Sequence, residues 1–441
     1  MVCVMAHLLA RRNTTIAAIA LAVVALVALT LGVATGSGDP ASASPGASSS
    51  SSAAPKPKLR GKREVLFVGN NWEGTADVIV PRGKFRRLAR INIIPDVEER
   101  MAEIATDPER LGYFLAIREL VGEGNDQYVD DMLSSNDGRL LIVSRPSFRD
   151  VIALDLASGA IVWRFVVDGQ RSDHMAISPD GTNVAVSAST GNVVHILDTK
   201  TGLEVGRFES GDSPHENTYS EDGSLIYHAS IGMVYTPADS PISDTSKGDR
   251  FFQIVDANTN EILERIDMGQ KLAEAGYPEM SSAVRPMALS SDERFVYLQV
   301  SFFHGFVEYD LKHDRVRRVA NLPISDEAAS TPRENYLLDS AHHGIALSGN
   351  DRLLCVAGTM SDYAAIVSRN SFRHKLIKDG EKPYWSTTSA NGKRCYVSWS
   401  GTDNISVISY KKRKTIANIP VGDHPQRIRT GFVRKTFTGT P

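Results

Sequence analysis

From residue 64 onward, short runs of alternating apolar and polar residues follow one another, separated by turn residues. A period of two is typical of half-buried β-strands. The first unit contains three such runs, at residues 65–68, 77–80 and 88–91. Residues 96–122 differ, because they are rich in Glu and their apolar positions have helical spacing. We therefore expect β-structure with one helical insertion that lies against the body or over one rim.

A serine-containing turn recurs along the chain and makes its period visible. One copy reads Gly-Asp-Ser-Pro-His-Glu-Asn-Thr-Tyr-Ser-Glu-Asp-Gly at 211–223, followed by a Leu-Ile-Tyr strand. The serines stand at 135, 178, 220, 290, 348 and 389, with gaps of 43, 42, 70, 58 and 41 residues. A unit of roughly 42 residues therefore carries two insertions, at 231–249 and 323–341. That length, with four short strands, is typical of a propeller blade.

The two ends of the repeat region complement each other. The first unit lacks its first strand, and residues 425–430 have a first-strand pattern with no blade after them. Joining them closes the ring and removes open sheet edges. The predicted fold is all-β: a seven-bladed β-propeller of four-stranded antiparallel blades, closed by the N- and C-terminal strands. It spans 62–435, with the helical insertion at about 96–122 and a tail at 436–441.

The Gly-x-x-Pro-His-x-x-x-x-Ser-x-Asp-Gly unit and the strand after it resemble those of YVTN-type seven-bladed propellers, over about residues 64–433. The resemblance implies the propeller fold. It does not select an activity, because the family includes scaffold proteins, lactonase-like enzymes, quinoprotein subunits and polysaccharide lyases.

The N-terminus predicts export. Arg11 and Arg12 precede an apolar run at 16–33, which is typical of a signal peptide and about long enough to remain as a membrane anchor. We assign 1–35 to this segment and 36–61, rich in Ser, Ala and Pro, to a flexible linker. We expect an extracellular or cell-surface protein that touches the membrane only through its N-terminal segment. The net charge of −3 argues against nucleic-acid binding.

Three cysteines, at positions 3, 355 and 395, give no disulfide framework. Cys355 and Cys395 occupy equivalent second-strand positions in neighbouring repeats. We predict that both are small, buried apolar side chains.

The repeat aligns one set of side chains around the mouth of the central channel, which the first strands of the blades line. Five residues before the serines stand Asp130, Asp173, His215, Arg285, His343 and Tyr384, with Gln426 in the closing strand. The next position adds His174, Glu216, Trp385 and Arg427, and the loops between second and third strands add Arg145, His304 and Trp399. Each blade supplies a different ionisable or aromatic group, as expected of a binding site. A His after Pro is also a common structural contact between blades in this type of repeat.

The leading hypothesis is β-elimination on an anionic, uronate-containing saccharide. The catalytic residues would be Arg285 to neutralise the carboxylate, His215 or His343 as base, and Tyr384 as acid. The predicted substrate-binding residues are Arg145, His174, Asp173, Glu216, His304, Trp385, Trp399 and Arg427.

Two other classes stay open: a lactonase-like hydrolase, and a non-catalytic scaffold for a protein or cell-envelope partner. A divalent metal could bind His174, His215, His343 and His424 with Asp173. However, no two of these residues have a tight ligand spacing along the chain, so no cofactor is predicted. We expect a monomer.

Overall fold

The computed structural model describes residues 61–233, 247–336 and 340–439, which form seven four-stranded antiparallel sheets arranged as the blades of a ring. The first strand of each blade contacts the first strands of both neighbouring blades, so these strands surround the central channel. The predicted seven-bladed propeller is confirmed. The predicted signal or anchor and nearly all of the linker lie outside the described residues.

The blades follow chain order apart from the shared one. Blade 1 combines β1 (Lys62–Asn70), β2 (Thr75–Ile79) and β3 (Arg87–Asn92) with the last strand, β28 (Pro425–Arg434). Blades 2 and 3 are β4 (Met132–Ser134), β5 (Leu140–Arg145), β6 (Asp150–Asp155) and β7 (Ile161–Val166), then β8 (Ser172–Ile177), β9 (Asn183–Ala188), β10 (Val193–Asp198) and β11 (Glu204–Glu209).

Blades 4 and 5 are β12 (Pro214–Tyr219), β13 (Leu225–Ser230), β14 (Phe252–Asp256) and β15 (Ile262–Ile266), then β16 (Val284–Leu289), β17 (Phe295–Val300), β18 (Gly305–Asp310) and β19 (Arg315–Asn321). Blades 6 and 7 are β20 (Ile345–Leu347), β21 (Leu353–Gly358), β22 (Tyr363–Ser368) and β23 (His374–Ile377), then β24 (Pro383–Thr388), β25 (Arg394–Trp399), β26 (Asn404–Ser409) and β27 (Lys414–Pro420).

Helices occur only between strands in the described residues. They are α1 (Val97–Thr106), α2 (Pro108–Leu120), α3 (Met268–Glu274) and α4 (Asp326–Ser330), with 3₁₀ turns at Pro146–Phe148, Arg333–Asn335 and Thr359–Ser361. None of these helices is long and apolar enough to cross a membrane.

The helices α1 and α2 lie within the insertion at 96–122. Asp107 caps α2 by accepting hydrogen bonds from the backbone N–H groups of Glu109 and Arg110 at 3.0 and 3.1 Å. The insertion packs on blade 2, where Phe148 joins an apolar cluster with helical side chains, and Arg110 donates to the Ser147 carbonyl. The insertion is therefore docked at the end of β5 rather than extended away from the ring.

The recurring serine holds the turn between the first two strands of a blade. Ser178 Oγ donates to Asp180 at 2.6 Å and accepts from the Asn183 N–H at 3.0 Å, while Gly181 adopts a φ of 76°. The other five serines make the same pair of bonds, in two cases with Asn350 or Asn391 as the acceptor. The sequence period is therefore the period of a hydrogen-bonded turn.

The core lies between neighbouring blades. One apolar cluster joins Val65, Phe67 and Val78 of blade 1 to Val143 and Ile152 of blade 2, and all five side chains are fully buried. Similar clusters fill other blade interfaces. Burial of both faces makes each blade depend on its neighbours.

Strand β28 closes the ring. It pairs antiparallel with β1 from Lys62 opposite Arg434 to Asn70 opposite Pro425, with one bulge. Arg429 of β28 also forms a bidentate ion pair with the fully buried Asp131 of blade 2, at 2.8 and 2.6 Å. Closure therefore combines backbone pairing within blade 1 and a charged contact to the next blade.

A disulfide joins Cys355 in β21 to Cys395 in β25, with the Cα atoms 6.4 Å apart. The prediction that these cysteines form no disulfide is wrong, although both are buried as expected. The reason is geometric: equivalent positions in neighbouring blades face each other across the interface, and the sequence alone does not show that separation.

Reduction of this disulfide should destabilise the propeller. Because the bond closes a 40-residue separation, we expect Cys355→Ala/Cys395→Ala to lower the free energy of unfolding by about 2–4 kcal/mol. Dithiothreitol should lower the urea midpoint of the wild type and leave that of the double variant unchanged. A wild-type midpoint that is insensitive to the reductant would contradict the assignment.

Loss of the Asp131–Arg429 pair should also be costly. Asp131→Asn leaves a largely buried guanidinium without its counter-charge, so we expect a loss of about 3 kcal/mol in urea unfolding. Burial alone would raise the pKa of Asp131, but the charge and hydrogen bonds of Arg429 hold it below its usual value. The contribution should therefore be complete above about pH 4 and disappear as the pH falls through the lower folded-state pKa.

Asp137→Asn is the matched control. Asp137 pairs with Arg434 at 3.7 Å on the surface, with both side chains more than half exposed. Asn already fills the equivalent turn position in two blades, so this change should cost less than about 1 kcal/mol. Equal losses in the two variants would show that the buried pair has no special role.

Candidate functional site

One small buried cavity collects the side chains that the repeat aligns at the channel mouth. Asp130, Asp173, His215, Arg285, His343 and Tyr384 all line it, together with His174. They come from six different blades, because each occupies the start of a first strand or the residues just before one. The register of the blades thus brings together side chains that are far apart in sequence.

The cavity is small. Its volume is about 20 Å³, which is room for about one water molecule. Val121, at the end of α2, and Ile231, just after β13, form part of its wall. The helical insertion therefore helps to cover the mouth, and the described cavity is too small for a sugar ring.

Three buried histidines form the centre of the site. The rings of His174 and His215 have centroids 3.7 Å apart, and the His343 ring lies 6.0 Å from each. One ring nitrogen from each histidine lies within 4.8 Å of the corresponding atoms of the other two. This spacing places three potential ligand atoms around a common point.

The three imidazoles are neutral at ordinary pH. Burial lowers the pKa of each well below its usual value, and the charges of Arg427 and Arg285 add to the effect at His215 and His343. Burial and Arg427 do the same for His174. Neutral imidazole has one nitrogen lone pair available for a ligand.

A carboxylate orients His174. Its Nδ1 lies 2.6 Å from Glu216 Oε2. Burial raises the pKa of Glu216 to about 7, against the opposing charges of Arg427 and Arg429. Above that pH the carboxylate accepts a hydrogen bond from Nδ1–H, which leaves the Nε2 lone pair free. The Nδ1 atoms of His215 and His343 are buried with no hydrogen-bond partner.

Two carboxylates flank the histidines. Burial raises the pKa of Asp130 to about 7, with Arg427 opposing, and its Oδ2 has no hydrogen-bond partner. Asp173 Oδ2 accepts from Arg171 at 2.9 Å and from Ser189 at 2.8 Å. Asp130 and Asp173 also form a second possible ligand group with His174.

Arg427 lies beneath this cluster. Its guanidinium stacks 3.7 Å from the Trp385 ring centre and lies 3.9 Å from Asp130 and 3.8 Å from Glu216. Its three guanidinium nitrogens are fully buried and make no hydrogen bonds. The arginine therefore balances the charge of both carboxylates through space and covers one face of the Trp385 ring.

Two further residues of the predicted site complete the wall. Arg285 Nε donates to Ser301 Oγ at 2.9 Å. The Tyr384 ring stacks on His343 with centroids 4.0 Å apart. Burial raises the pKa of Tyr384 above its usual value, so its hydroxyl stays protonated.

The loop residues predicted for the site lie elsewhere. Arg145 forms bidentate pairs with Asp150 and Asp96 and so anchors the helical insertion. The other predicted residues also have structural contacts: Trp399 donates to Ser406 at 2.9 Å, His304 bonds to Tyr336 at 3.1 Å, and His424 stacks on Trp72 at 3.7 Å. The side chains of Arg145, His304 and Trp399 thus contact neighbouring loops and strands instead of the cavity, and His424, just before β28, contacts Trp72.

Sequence reasoning missed several wall residues: Val121, Arg171, Ser189, Ser213 and Ile231. The sequence could have predicted Arg171, because this residue stands two positions before Asp173, just before the start of the same strand. Val121 and Ile231 carry no sequence signal, because only the packing of the insertion and the loops brings them over the mouth.

A larger cavity opens at the other end of the channel. It has a volume of about 570 Å³ and is lined by side chains further along the first strands, including Met175, Asn217 and Met287. Glu216 and Trp385 line it as well and face His174 on their other side. The layer that contains these two residues therefore separates the two cavities.

Comparison with known proteins supports the fold alone. No protein-family model and no curated protein matches the chain. Among solved structures, hydrazine synthase of Kuenenia stuttgartiensis is similar, with a TM-score of 0.52 and 14% identity over 70% of this chain and 96% of that chain. In all, 1534 solved chains match, so the fold is too widespread to select a function.

Proposed function

We propose that this propeller is a metalloprotein that binds one divalent transition-metal ion through His174, His215 and His343. The observation that carries the proposal is the convergence of three buried imidazole nitrogens within 4.8 Å of one another. Imidazole is a common ligand of zinc, copper, iron and nickel, and three histidines are a known zinc donor set.

The surroundings of the histidines favour an ion over a purely structural cluster. Glu216 is hydrogen-bonded to Nδ1 of His174, which leaves Nε2 for an ion. Carboxylates in this position commonly orient metal-bound imidazoles. The buried, unpartnered nitrogens of His215 and His343 each cost about 1–3 kcal/mol unless a partner satisfies them. A bound ion supplies the electrophilic partner that a lone pair needs.

The charges around the site are consistent with a cation. Arg285 and Arg427 repel it, and the carboxylates of Asp130, Asp173 and Glu216 offset that repulsion. All these groups are buried, so their interactions are stronger than at the surface.

We also propose that the protein works outside the cytoplasm. The Cys355–Cys395 disulfide supports this location, because disulfides persist mainly in oxidising compartments. The basic and apolar N-terminal residues favour the same location.

Metal analysis and calorimetry test the ligand set. We expect the wild type to bind one Zn²⁺ per chain, and His215→Ala and His343→Ala to lose stoichiometric binding because each removes one of three ligands. Glu216→Gln should weaken zinc binding about 10–100-fold, since it disturbs only the orientation of His174.

His313→Ala is the matched control, because His313 lies half-exposed in the outer turn of blade 5 and pairs with Asp310. Its zinc affinity should equal that of the wild type. Absence of zinc, copper, nickel and cobalt binding by the wild type would refute the proposal. If Asp130→Asn abolishes binding while His215→Ala does not, the ion occupies the Asp130–Asp173–His174 group instead.

A second candidate function is elimination on a uronate polysaccharide. Arg285, His215, His343 and Tyr384 line one cavity, which favours joint action on one ligand. A sugar ring is much larger than the space of about 20 Å³, so this function requires the mouth to open. The substrate would be an anionic saccharide.

This candidate predicts a rise in ultraviolet absorbance, from the unsaturated uronate product, on incubation with alginate or polygalacturonate. Tyr384→Phe should abolish that rise because it removes the acid, while the unfolding midpoint changes little. No absorbance change with either polymer, with or without added zinc, would exclude elimination on these substrates.

A further inference from the structure

We infer that the outer rim of blades 5, 6, 7 and 1 binds a linear anionic polysaccharide. This rim, which we call the basic arc, consists of the turn after the third strand and the fourth strand of each of these blades: residues 311–321, 369–377, 410–420 and 80–92. The site is separate from the three histidines and does not require a bound ion. The choice of a polysaccharide among polyanions rests on the location outside the cytoplasm proposed above.

The first observation is an uneven distribution of charge around the ring. The segments of the basic arc in blades 1, 5, 6 and 7 contain five, four, three and four Lys or Arg residues, with one acidic residue, Asp314. The matching segments of blades 2, 3 and 4 contain one, two and one basic residues, with four acidic residues. A chain with a net charge of −3 therefore concentrates positive charge on one side of its rim. Such a surface attracts polyanions.

Most of these positive charges are not paired inside the protein. Five of the sixteen basic residues form ion pairs with carboxylates of their own blades. The other eleven have no ion-pair partner within residues 61–233, 247–336 and 340–439, and ten of these eleven are exposed. An exposed ion pair contributes little by itself, so a single small anion would bind weakly. Many linked anions bind more tightly, because each contact after the first is intramolecular.

The four segments form one continuous surface. The fourth strands lie at the outer edges of the sheets, and apolar clusters join blades 5 to 6, 6 to 7 and 7 to 1. Hydrogen bonds hold neighbouring turns together, since Arg318 of blade 5 donates to the carbonyls of Arg369 and Asn370 of blade 6, both at 2.9 Å. Arg394 of blade 7 donates to the Pro81 carbonyl of blade 1 at 2.7 Å. A polymer that follows the rim therefore meets positive charge from one blade to the next.

A surface cleft between blades 5 and 6 lies within the basic arc. It has a volume of about 290 Å³ and is lined by Glu308, Arg317, Arg318, Arg369 and Asn370. Arg318 binds Glu308 in a bidentate pair at 2.8 and 2.6 Å, and the half-exposed Arg317 lies 3.7 Å from the same carboxylate. Even with Asp351, which lies 3.6 Å from Arg369, three guanidiniums face two carboxylates. Because guanidinium matches the geometry of a carboxylate, we place one carboxylate of the polymer in this cleft.

The shape and composition of the arc favour a flexible saccharide chain over a bilayer or a nucleic acid. The arc follows the convex edge of a ring, whereas a bilayer is flat and duplex DNA has a persistence length of about 150 base pairs. Within the basic arc, Ile416 is the one large apolar side chain that is exposed. The arc therefore offers little apolar surface to a bilayer and no exposed aromatic ring to nucleic-acid bases.

Fluorescence anisotropy with end-labelled polygalacturonate tests the inference on the full-length protein. We expect long chains to bind about tenfold or more tightly than trimers, because only long chains span several blades. The affinity should fall steeply with added salt, since the charges are exposed. Neutral dextran should not bind. Tyr384→Phe, which removes the acid of the elimination candidate, should leave the affinity unchanged, so the two ideas are tested separately.

Two variants separate the arc as a whole from the cleft. Lys411→Gln/Lys412→Gln/Lys414→Gln removes three exposed charges from blade 7. This variant should bind long chains about tenfold more weakly and trimers as the wild type does. Arg317→Gln should weaken trimer binding about fivefold, because it removes one guanidinium from the cleft.

Lys200→Gln/Arg207→Gln/Arg265→Gln is the matched control. It removes three exposed basic residues from the outer strands and turns of blades 3 and 4, and so changes the net charge by the same amount as the blade 7 variant. Its affinity for long chains should equal that of the wild type. A thermal melt of each variant shows that it is folded before titration.

Each contrary outcome has a distinct meaning. Equal losses in the two triple variants would show that only net charge matters and would overturn the inference. Equal affinities for trimers and long chains, or unchanged trimer affinity in Arg317→Gln, would overturn it as well. Tighter binding to phosphatidylglycerol vesicles or to DNA than to polygalacturonate would assign the arc to a membrane or a nucleic acid instead. None of these results depends on zinc, so the metal proposal stands or fails separately.

Discussion

The pairing of β28 with β1 is the constraint on which the structure depends. Blade 1 has only three strands from the N-terminal part of the chain, and the last strand completes its sheet. Without that pairing, blades 1 and 7 would each expose an interface that the closed ring buries. The ion pair from Arg429 to Asp131 extends the same closure to blade 2. Any site in the channel exists only after the ring has closed.

Ring closure also explains how so many ionisable groups are buried together. The blade interfaces bury apolar side chains, whereas the first strands point polar side chains into the channel. His174, His215 and His343 are each within a few per cent of complete burial, yet they lie among carboxylates and guanidiniums. Such a cluster is costly unless its members satisfy each other or a ligand does. The unpartnered Nδ1 atoms of His215 and His343 therefore add to the convergence of the three imidazole nitrogens on which the proposed ion site rests.

The candidate site was predictable to the extent that the repeat aligns it. All six residues that precede the turn serines by five positions line one cavity, because equivalent positions in a ring of blades face the same axis. The loop residues Arg145, His304 and Trp399 do not, since loop direction depends on local contacts rather than on the repeat. A metal on the histidines was only an open alternative at the level of sequence, because His174, His215 and His343 are widely separated along the chain.

The sequence by itself determined the blade period, the order of strands and the way the ends meet, because each follows from a turn and an alternation that recur locally. Only the tertiary structure decided the distances between blades. The Cys355–Cys395 disulfide, the contact of His174 with Glu216 and the small cavity lined by Val121 all depend on packing between separate units. The local sequence pattern predicts each strand and turn. A site built from six blades also depends on how those blades are placed relative to one another, which the local pattern does not contain.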